Sequence, residues 1–312
     1  MFRYFKINEQ GMKEIQEKIG NCLVIQDSTE KEREEIVQRY QLPNDIFLES
    51  KTPEDVSRLE KLQKTRLKDP LLLTLIDLSF DVEPIEASLH PVTFIYAQGL
   101  LIIHLSKKTS LLDVLLKEKN KKLFTAEEVI FQCILLIYDH YIKKLRQEKE
   151  KIDRLDQAAH STTENKELFE LANVKRTMVY LDHSLRDQQE TVDRLIENKP
   201  MMERLDNESL LYDVKLRQRF TNKMVSIYRD LLESIGELFS DMIDNNLNHI
   251  LKYLDSAALV ISIPTLLFGL WGMNTGGLPG EKWSLGTLVI VLLALVSTVL
   301  ASVHLFRKDY SK

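Results

Sequence analysis

The chain has 312 residues, 29% charged and 44% hydrophobic, with a formal net charge of −5. That length allows a sizeable core and more than one domain, and the mild acidity, without a basic patch, argues against nucleic-acid binding. Charge is spread from Met1 to about Lys252, then nearly vanishes until Arg307 and Lys308.

The opening segment, MFRYFKINEQ, carries Arg3, Lys6 and Glu9 and no apolar run, so no signal peptide is expected there. Five segments read as strands: Phe2–Ile7, Cys22–Gln26, Leu71–Phe80, Val92–Tyr96 and Leu100–Leu105. Gln98-Gly99 between the last two is a weak hairpin signal. Pro43 to Leu67 reads as helical or mixed. Strands with intervening helices predict a layered α/β domain over residues 1–122, with no strand order legible. Cys22 and Cys133 lack any CxxC spacing, so neither a disulfide framework nor a zinc site is expected, and a reducing compartment fits.

From Thr125 onward the pattern is helical. Thr125 with Glu128, and Ser161 with Glu164, form capping-box signatures. Leu171, Val174, Met178, Leu181, Leu185, Val192 and Leu195 follow a 3-4 spacing interrupted by Gln188, which predicts a coiled-coil-like seam ending at Pro200. A further helix is expected from about Met202, uninterrupted by proline until Pro264. It would run for about 60 residues, or about 90 Å, from stalk into membrane. Residues 123–246 form the expected stalk. On these residues alone a generic coiled-coil bundle is the favoured reading.

The C-terminal segment, residues 247–312, reads as two membrane spans. Leu285 to Phe306 contains no Asp, Glu, Lys or Arg and is long enough for the roughly 30 Å of a bilayer core. The first span covers about 247–271, and its inner end carries Asn248, Lys252 and Asp255. Such polar groups are costly at depth unless they face protein or water. Only residues 272–284 separate the spans, bracketed by Trp271 and Trp283, so both termini share one side. Arg307, Lys308 and Lys312 put that side in the cytosol.

Positions seven apart lie nearly on one face of a helix. Asn248, Asp255, Ser262 and Gly269 make such a stripe, with Thr265 beside it, on an otherwise apolar helix. It reads either as the water-facing wall of a pore in an oligomer or as close packing through small residues. Leu251, Leu254 and Leu266 would gate such a pore by dewetting, or simply pack. Asp255 has two readings of its own: a carboxylate facing the pore, binding metal or coupling a proton, or an ion pair with Lys252 on the same face. At the outer end stand Gly272, Met273 and Asn274. The Asn274 side-chain oxygen and the Gly272 and Met273 carbonyls, repeated around an axis, would accept hydrogen bonds from the shell waters of a hydrated cation. Alternatively, Gly272 and Asn274 cap a helix C-terminus.

Trp271-Gly272-Met273-Asn274 at the end of the first of two C-terminal spans, behind a long charged helix, resembles the CorA family of Mg²⁺ transporters. Asn248, 24 residues before Gly272, matches a pore-lining Asn of the family. Asn248-His249-Ile250-Leu251-Lys252-Tyr253-Leu254 resembles its Asn-x-x-Met-Lys-x-Leu, and Ile263-Pro264-Thr265 its mid-span Pro and Thr. Trp271 replaces the usual Tyr. The loop Thr275-Gly276-Gly277-Leu278-Pro279-Gly280 is similar to that of the ZntB zinc-transporting branch, which normally has Val or Ile where this chain has Met273.

The resemblance implies an α+β membrane protein: a homopentameric funnel with a cytosolic α/β domain, a helical stalk and an axial pore lined by the first spans. It implies transport of Mg²⁺, with Co²⁺ or Ni²⁺ also expected, across the cytoplasmic membrane, and closure by intracellular Mg²⁺. Asp213 sits where the family carries an acidic residue for regulatory Mg²⁺, with Asp206 the second choice; a solvated stalk face is the alternative. Glu281 in the outer loop would attract cations. The ZntB-like loop and Asp255 leave proton-coupled Zn²⁺ transport open, and a membrane-anchored scaffold that transports nothing is a further alternative. The chain has no Gly-rich phosphate loop or HExxH, so neither an enzyme nor a P-loop pump is expected.

Overall fold

The computed structural model describes residues 2–9, 11–16, 20–47, 57–80, 82–105, 109–117, 123–160, 165–273 and 285–307. The chain divides into two compact units, residues 1–235 and 236–312.

The first unit begins with β1 (Phe2–Asn8), β2 (Gly11–Ile15), β3 (Cys22–Gln26) and α1 (Glu30–Tyr40). Then come β4 (Arg58–Lys61), β5 (Leu71–Leu78), β6 (Leu89–Ala97) and β7 (Leu100–Leu105). They form one sheet in the order β2-β1-β3-β7-β6-β5-β4. β3 pairs with β7 in parallel, and the other neighbours run antiparallel.

The register explains the layering. Leu72, Ile95 and Ile102 lie in one cross-strand row with Leu23. This row packs with Ile36 of α1 and with Leu42, Ile46 and Phe47. The next residue of each strand (Leu73, Phe94, Ile103 and Val24) points to the opposite face and is also buried. β5, LLLTLIDL, is therefore buried at every position, as expected of a strand covered on both sides. Gln98-Gly99 makes the turn between Ala97 and Leu100, with Gly99 at φ 84°, where a Cβ would be strained.

α2 (Leu111–Lys117), α3 (Ala126–Ala159), α4 (Asn165–Ile196) and the short α5 (Lys199–Met202) follow. α3 covers the second face of the sheet. Its Tyr141 hydroxyl donates to the Ile76 carbonyl at 3.2 Å, and His140 Nδ1 lies 2.7 Å from Asp77 Oδ1. The start of α3 is capped as its sequence suggests: Thr125 Oγ1 accepts from Glu128 N at 3.1 Å, and Glu128 Oε2 accepts from Thr125 N. Leu171, Val174, Met178, Leu181, Leu185, Val192 and Leu195 are all buried, and so is the interrupting Gln188. α6 (Glu208–Trp271) presents Leu210, Val214, Gln218, Thr221, Met224, Val225, Leu232 and Ile235 as its buried positions in this unit. Arg217 of α6 pairs with Asp139 of α3 at 3.2 Å, and Arg229 pairs with Asp182 of α4 at 3.4 Å.

Three sequence expectations change. β2 and β4 were not expected; both are edge strands with mostly charged or polar outward residues, such as Arg58, Glu60 and Lys61, which blunt an edge but erase the hydrophobic alternation. Arg58–Lys61 is thus a strand inside the stretch read as helical or mixed. α4 stops at Ile196, four residues before Pro200, which sits instead at the start of α5. The Ser161–Glu164 capping pair lies outside the described residues.

The second unit contains the end of α6 and α7 (Gly286–Arg307). Each of these two helices is long and apolar enough to cross a membrane.

Two measurements check this fold. Cys22 and Cys133 are 0% and 1% exposed, and burial pushes the Cys22 thiol up to about 12 and that of Cys133 higher still. Neither is expected to react with a thiol reagent at neutral pH until the protein is unfolded; labelling followed by mass spectrometry reads this. Thr125→Ala removes one half of the capping box and should cost about 1 kcal/mol, read by thermal unfolding of the detergent-solubilised protein.

Candidate functional site

In a helix every interior N–H and C=O is bonded within the segment, which is why a helix can cross a bilayer. Side chains are then what decide which way each face of α6 turns. None of the apolar window of α6 is buried within the chain, so lipid or further copies must cover it. Asn248, Asp255, Ser262, Thr265 and Gly269 are all exposed along this stretch. The structure thus brings the stripe together on one continuous helix. Leu251, Leu254 and Leu266 are exposed as well.

The hydroxyls of the stripe have a defined polarity. Ser262 Oγ donates to the Leu259 carbonyl and Thr265 Oγ1 to the Ile261 carbonyl, each at 2.8 Å. With the proton turned back onto the backbone, each oxygen presents only acceptor lone pairs outward. Such a surface suits the protons of waters around a cation and repels an anion. Asp255 makes no ion pair with Lys252 among the described residues, so the pairing alternative is not realised within one chain. Pro264 lies inside α6, where it leaves the Val260 carbonyl without its intrahelical donor.

At the end of α6, Gly272 N donates to the Phe268 carbonyl at 2.9 Å, and Met273 N to Leu270 at 3.4 Å. The helical bonding therefore continues through Gly272. The left-handed glycines among the described residues are Gly11 and Gly99, not Gly272, so a left-handed cap does not explain this glycine. A Cβ at Gly272 would come within 3.1 Å of the Phe268 carbonyl oxygen, a tight approach. A Cβ at Gly269 would meet nothing within 4 Å; packing inside one chain places no demand on that position. Asn274 and Glu281 lie outside the described residues.

In the first unit, Asp213 and Asp206 are both exposed. Among the described residues no group of three or more His, Cys, Asp or Glu side chains is placed to hold a metal ion.

Sequence reasoning missed two polar clusters of the first unit. Asp77 of β5 is 0% exposed, and it accepts from the Thr109 hydroxyl as well as facing His140. Nearer the start of α6, Asn207 Nδ2 donates to Glu128 Oε1 at 2.9 Å, Arg204 donates to the Tyr96 hydroxyl at 2.7 Å, and that hydroxyl donates to Glu127. Burial and the Glu127 carboxylate together push the Tyr96 phenol up. These residues are far apart in the chain, so no local motif announces them.

Comparison with known proteins gives the family. A family model described as a CorA-like Mg2+ transporter protein matches residues 22–308. The cobalt/magnesium transport protein CorA of Thermotoga maritima is 22% identical over 187 residues, covering 59% of this chain and 53% of that protein. The chain thus spans about half the length of the curated relatives it matches. The complete CorA structure from Methanocaldococcus jannaschii superposes with a TM-score of 0.79 at 18% identity, over 99% of this chain and 98% of that one. The full-length CmaX structure gives 0.73 at 16% identity, over 99% and 97%. At these identities the two structures speak for the fold alone. The family model covers nearly the whole chain, and on that ground this chain belongs to the CorA-like Mg²⁺ transporter family.

Proposed function

We propose that this protein is a homo-oligomeric channel, a pentamer by its resemblance to the family, through which divalent cations cross the cytoplasmic membrane. Mg²⁺ is the first expected cargo, with Co²⁺ and Ni²⁺ as further candidates. The observation that carries the proposal is the exposed polar stripe of α6, running from Asn248 to Gly269 and on to Gly272 and Met273. Residues 247–271 and 285–306 are taken as the spans, residues 1–122 as a cytosolic domain and 123–246 as its stalk, with both termini in the cytosol.

The physical logic is one of hydration. Mg²⁺ dehydrates reluctantly, so a path that strips its waters would be slow. A ring of neutral acceptor oxygens can instead bind the shell waters. The Gly272 and Met273 carbonyls and the Asn274 amide, repeated around the axis, supply that ring at the outer end, with Glu281 drawing cations to it. Inside, the back-bonded hydroxyls of Ser262 and Thr265 extend the acceptor surface. Leu251 at the inner end is the apolar ring suited to close by dewetting. With no nucleotide-binding motif in the chain, the electrochemical gradient is the driving force.

The test is flux in proteoliposomes. Gly272→Ala and Asn274→Ala should each lower Mg²⁺ entry by about tenfold or more, the scale of about 1.4 kcal/mol at the barrier, with protein still in the membrane. Wild-type flux in either variant, at equal protein, contradicts the channel and favours a scaffold. The loop Thr275–Gly280 supports a second reading, proton-coupled Zn²⁺ transport; Zn²⁺ flux that requires a pH gradient, without Mg²⁺ flux, would establish it.

The exposed carboxylates Asp213 and Asp206 support regulation by cytosolic Mg²⁺ bound between copies. Asp213→Ala should raise the internal Mg²⁺ needed for half-inhibition by about tenfold, with Asp206→Ala giving a smaller shift. Unchanged inhibition in the Asp213 variant would remove the site.

A further inference from the structure

The stripe carries one formal charge, and the proposed pathway treats it no differently from the neutral oxygens around it. Asp255 is exposed, lies seven residues from both Asn248 and Ser262, and has no ion pair among the described residues. Lys252 is three residues away, about 60° round the helix, and is left off the Asn248–Asp255–Ser262 line. From Ser256 to Met273 there is no Asp, Glu, Lys or Arg. Asp255 is thus the last charged group before a long uncharged stretch. Along the helix axis it lies about 24 Å from Trp271.

An unpaired carboxylate at this depth is tolerable only if it faces water or a cation. On the proposed pathway it faces both. We propose that Asp255 forms a second cation station of different chemistry from the outer one: a ring of carboxylates at the inner end of the path that sets affinity and the preference for divalent over monovalent cations. This inference rests on the channel function proposed above. The outer ring of neutral oxygens favours any well-hydrated cation. Attraction to a carboxylate ring scales with the ion's charge, so a divalent ion gains twice what a monovalent ion gains at the same distance. Asn248, one heptad further in, supplies an amide oxygen for the shell waters as the ion leaves.

The experiment compares Mg²⁺ and K⁺ flux in proteoliposomes for wild type, Asp255→Asn, Asp255→Glu and Lys252→Gln. Asp255→Asn should raise the half-saturating Mg²⁺ concentration by about tenfold and lower the Mg²⁺-to-K⁺ ratio by a similar factor. Maximal flux should change much less, Asp255→Glu should keep the wild-type pattern, and Lys252→Gln should leave both quantities within about twofold of wild type. To separate charge from assembly, Asp255→Cys is purified and then modified in place. A sulfonate reagent restores the negative charge and the selectivity, and a trimethylammonium reagent abolishes Mg²⁺ flux.

Asp255→Asn matching wild type in half-saturation and selectivity overturns the inference while leaving the channel standing. So does an equal effect from Lys252→Gln, since the two residues would then form an ion pair between copies. Wild-type protein that conducts neither ion would instead defeat the channel itself.

Discussion

Polar side chains on the membrane stretch of α6 need something that one chain does not supply. Asn248 and Asp255 must be solvated, yet the helix that carries them has no buried residue in its apolar window. Hydrocarbon will not accept an amide and a carboxylate without a cost of several kcal/mol. Water or a polar partner is therefore required along that face, and the proposed assembly of copies would supply it. The proposed oligomer, aqueous path and cation preference each answer this one demand. The outward acceptor lone pairs of Ser262 and Thr265 suit the same sign of charge as Asp255.

The first unit has a different stabilising logic. Its sheet is buried on both faces, with α1 on one side and α3 on the other. α6 buries Leu210, Val214, Val225 and Leu232 in this unit, and it is also tied to α3 and α4 by exposed ion pairs and by a polar layer in which Gln218 Nε2 donates to Asp193 Oδ1 at 3.1 Å. Exposed pairs contribute little each. The buried apolar positions therefore carry most of this contact.

Much of this was legible in the sequence, for reasons that differ by element. The spans are set by composition: charge-free stretches of bilayer length have few soluble uses. The seam from Leu171 to Leu195 and the cap at Thr125 are local patterns, and local patterns survive without knowledge of the fold. β2 and β4 were hidden because a sheet edge needs charge where a strand signal needs alternation. The Asp77–His140–Thr109 and Tyr96–Glu127–Arg204 clusters were hidden because their members meet only through the topology. The stripe itself was readable as a spacing. What the sequence withheld was that Ser262 and Thr265 turn their protons inward, that Gly272 is not a left-handed cap, and that Lys252 leaves Asp255 unpaired within the chain.

Solvent access around α6 tests the central claim most directly. In a single chain both faces of this stretch are exposed: Tyr253 is 73% and Ile250 57% accessible, on the side away from the stripe. The assembled protein must distinguish them. Cysteines placed one at a time at Asn248, Ser262 and Gly269, and at Ile250, Tyr253 and Val260, can be probed in liposomes with a charged, water-borne thiol reagent while Mg²⁺ flux is recorded. The buried Cys22 and Cys133 leave the background silent. The account predicts modification and block at the first three positions and neither at the second three. Equal reactivity around the helix, or block from the Ile250 and Val260 side, would contradict it.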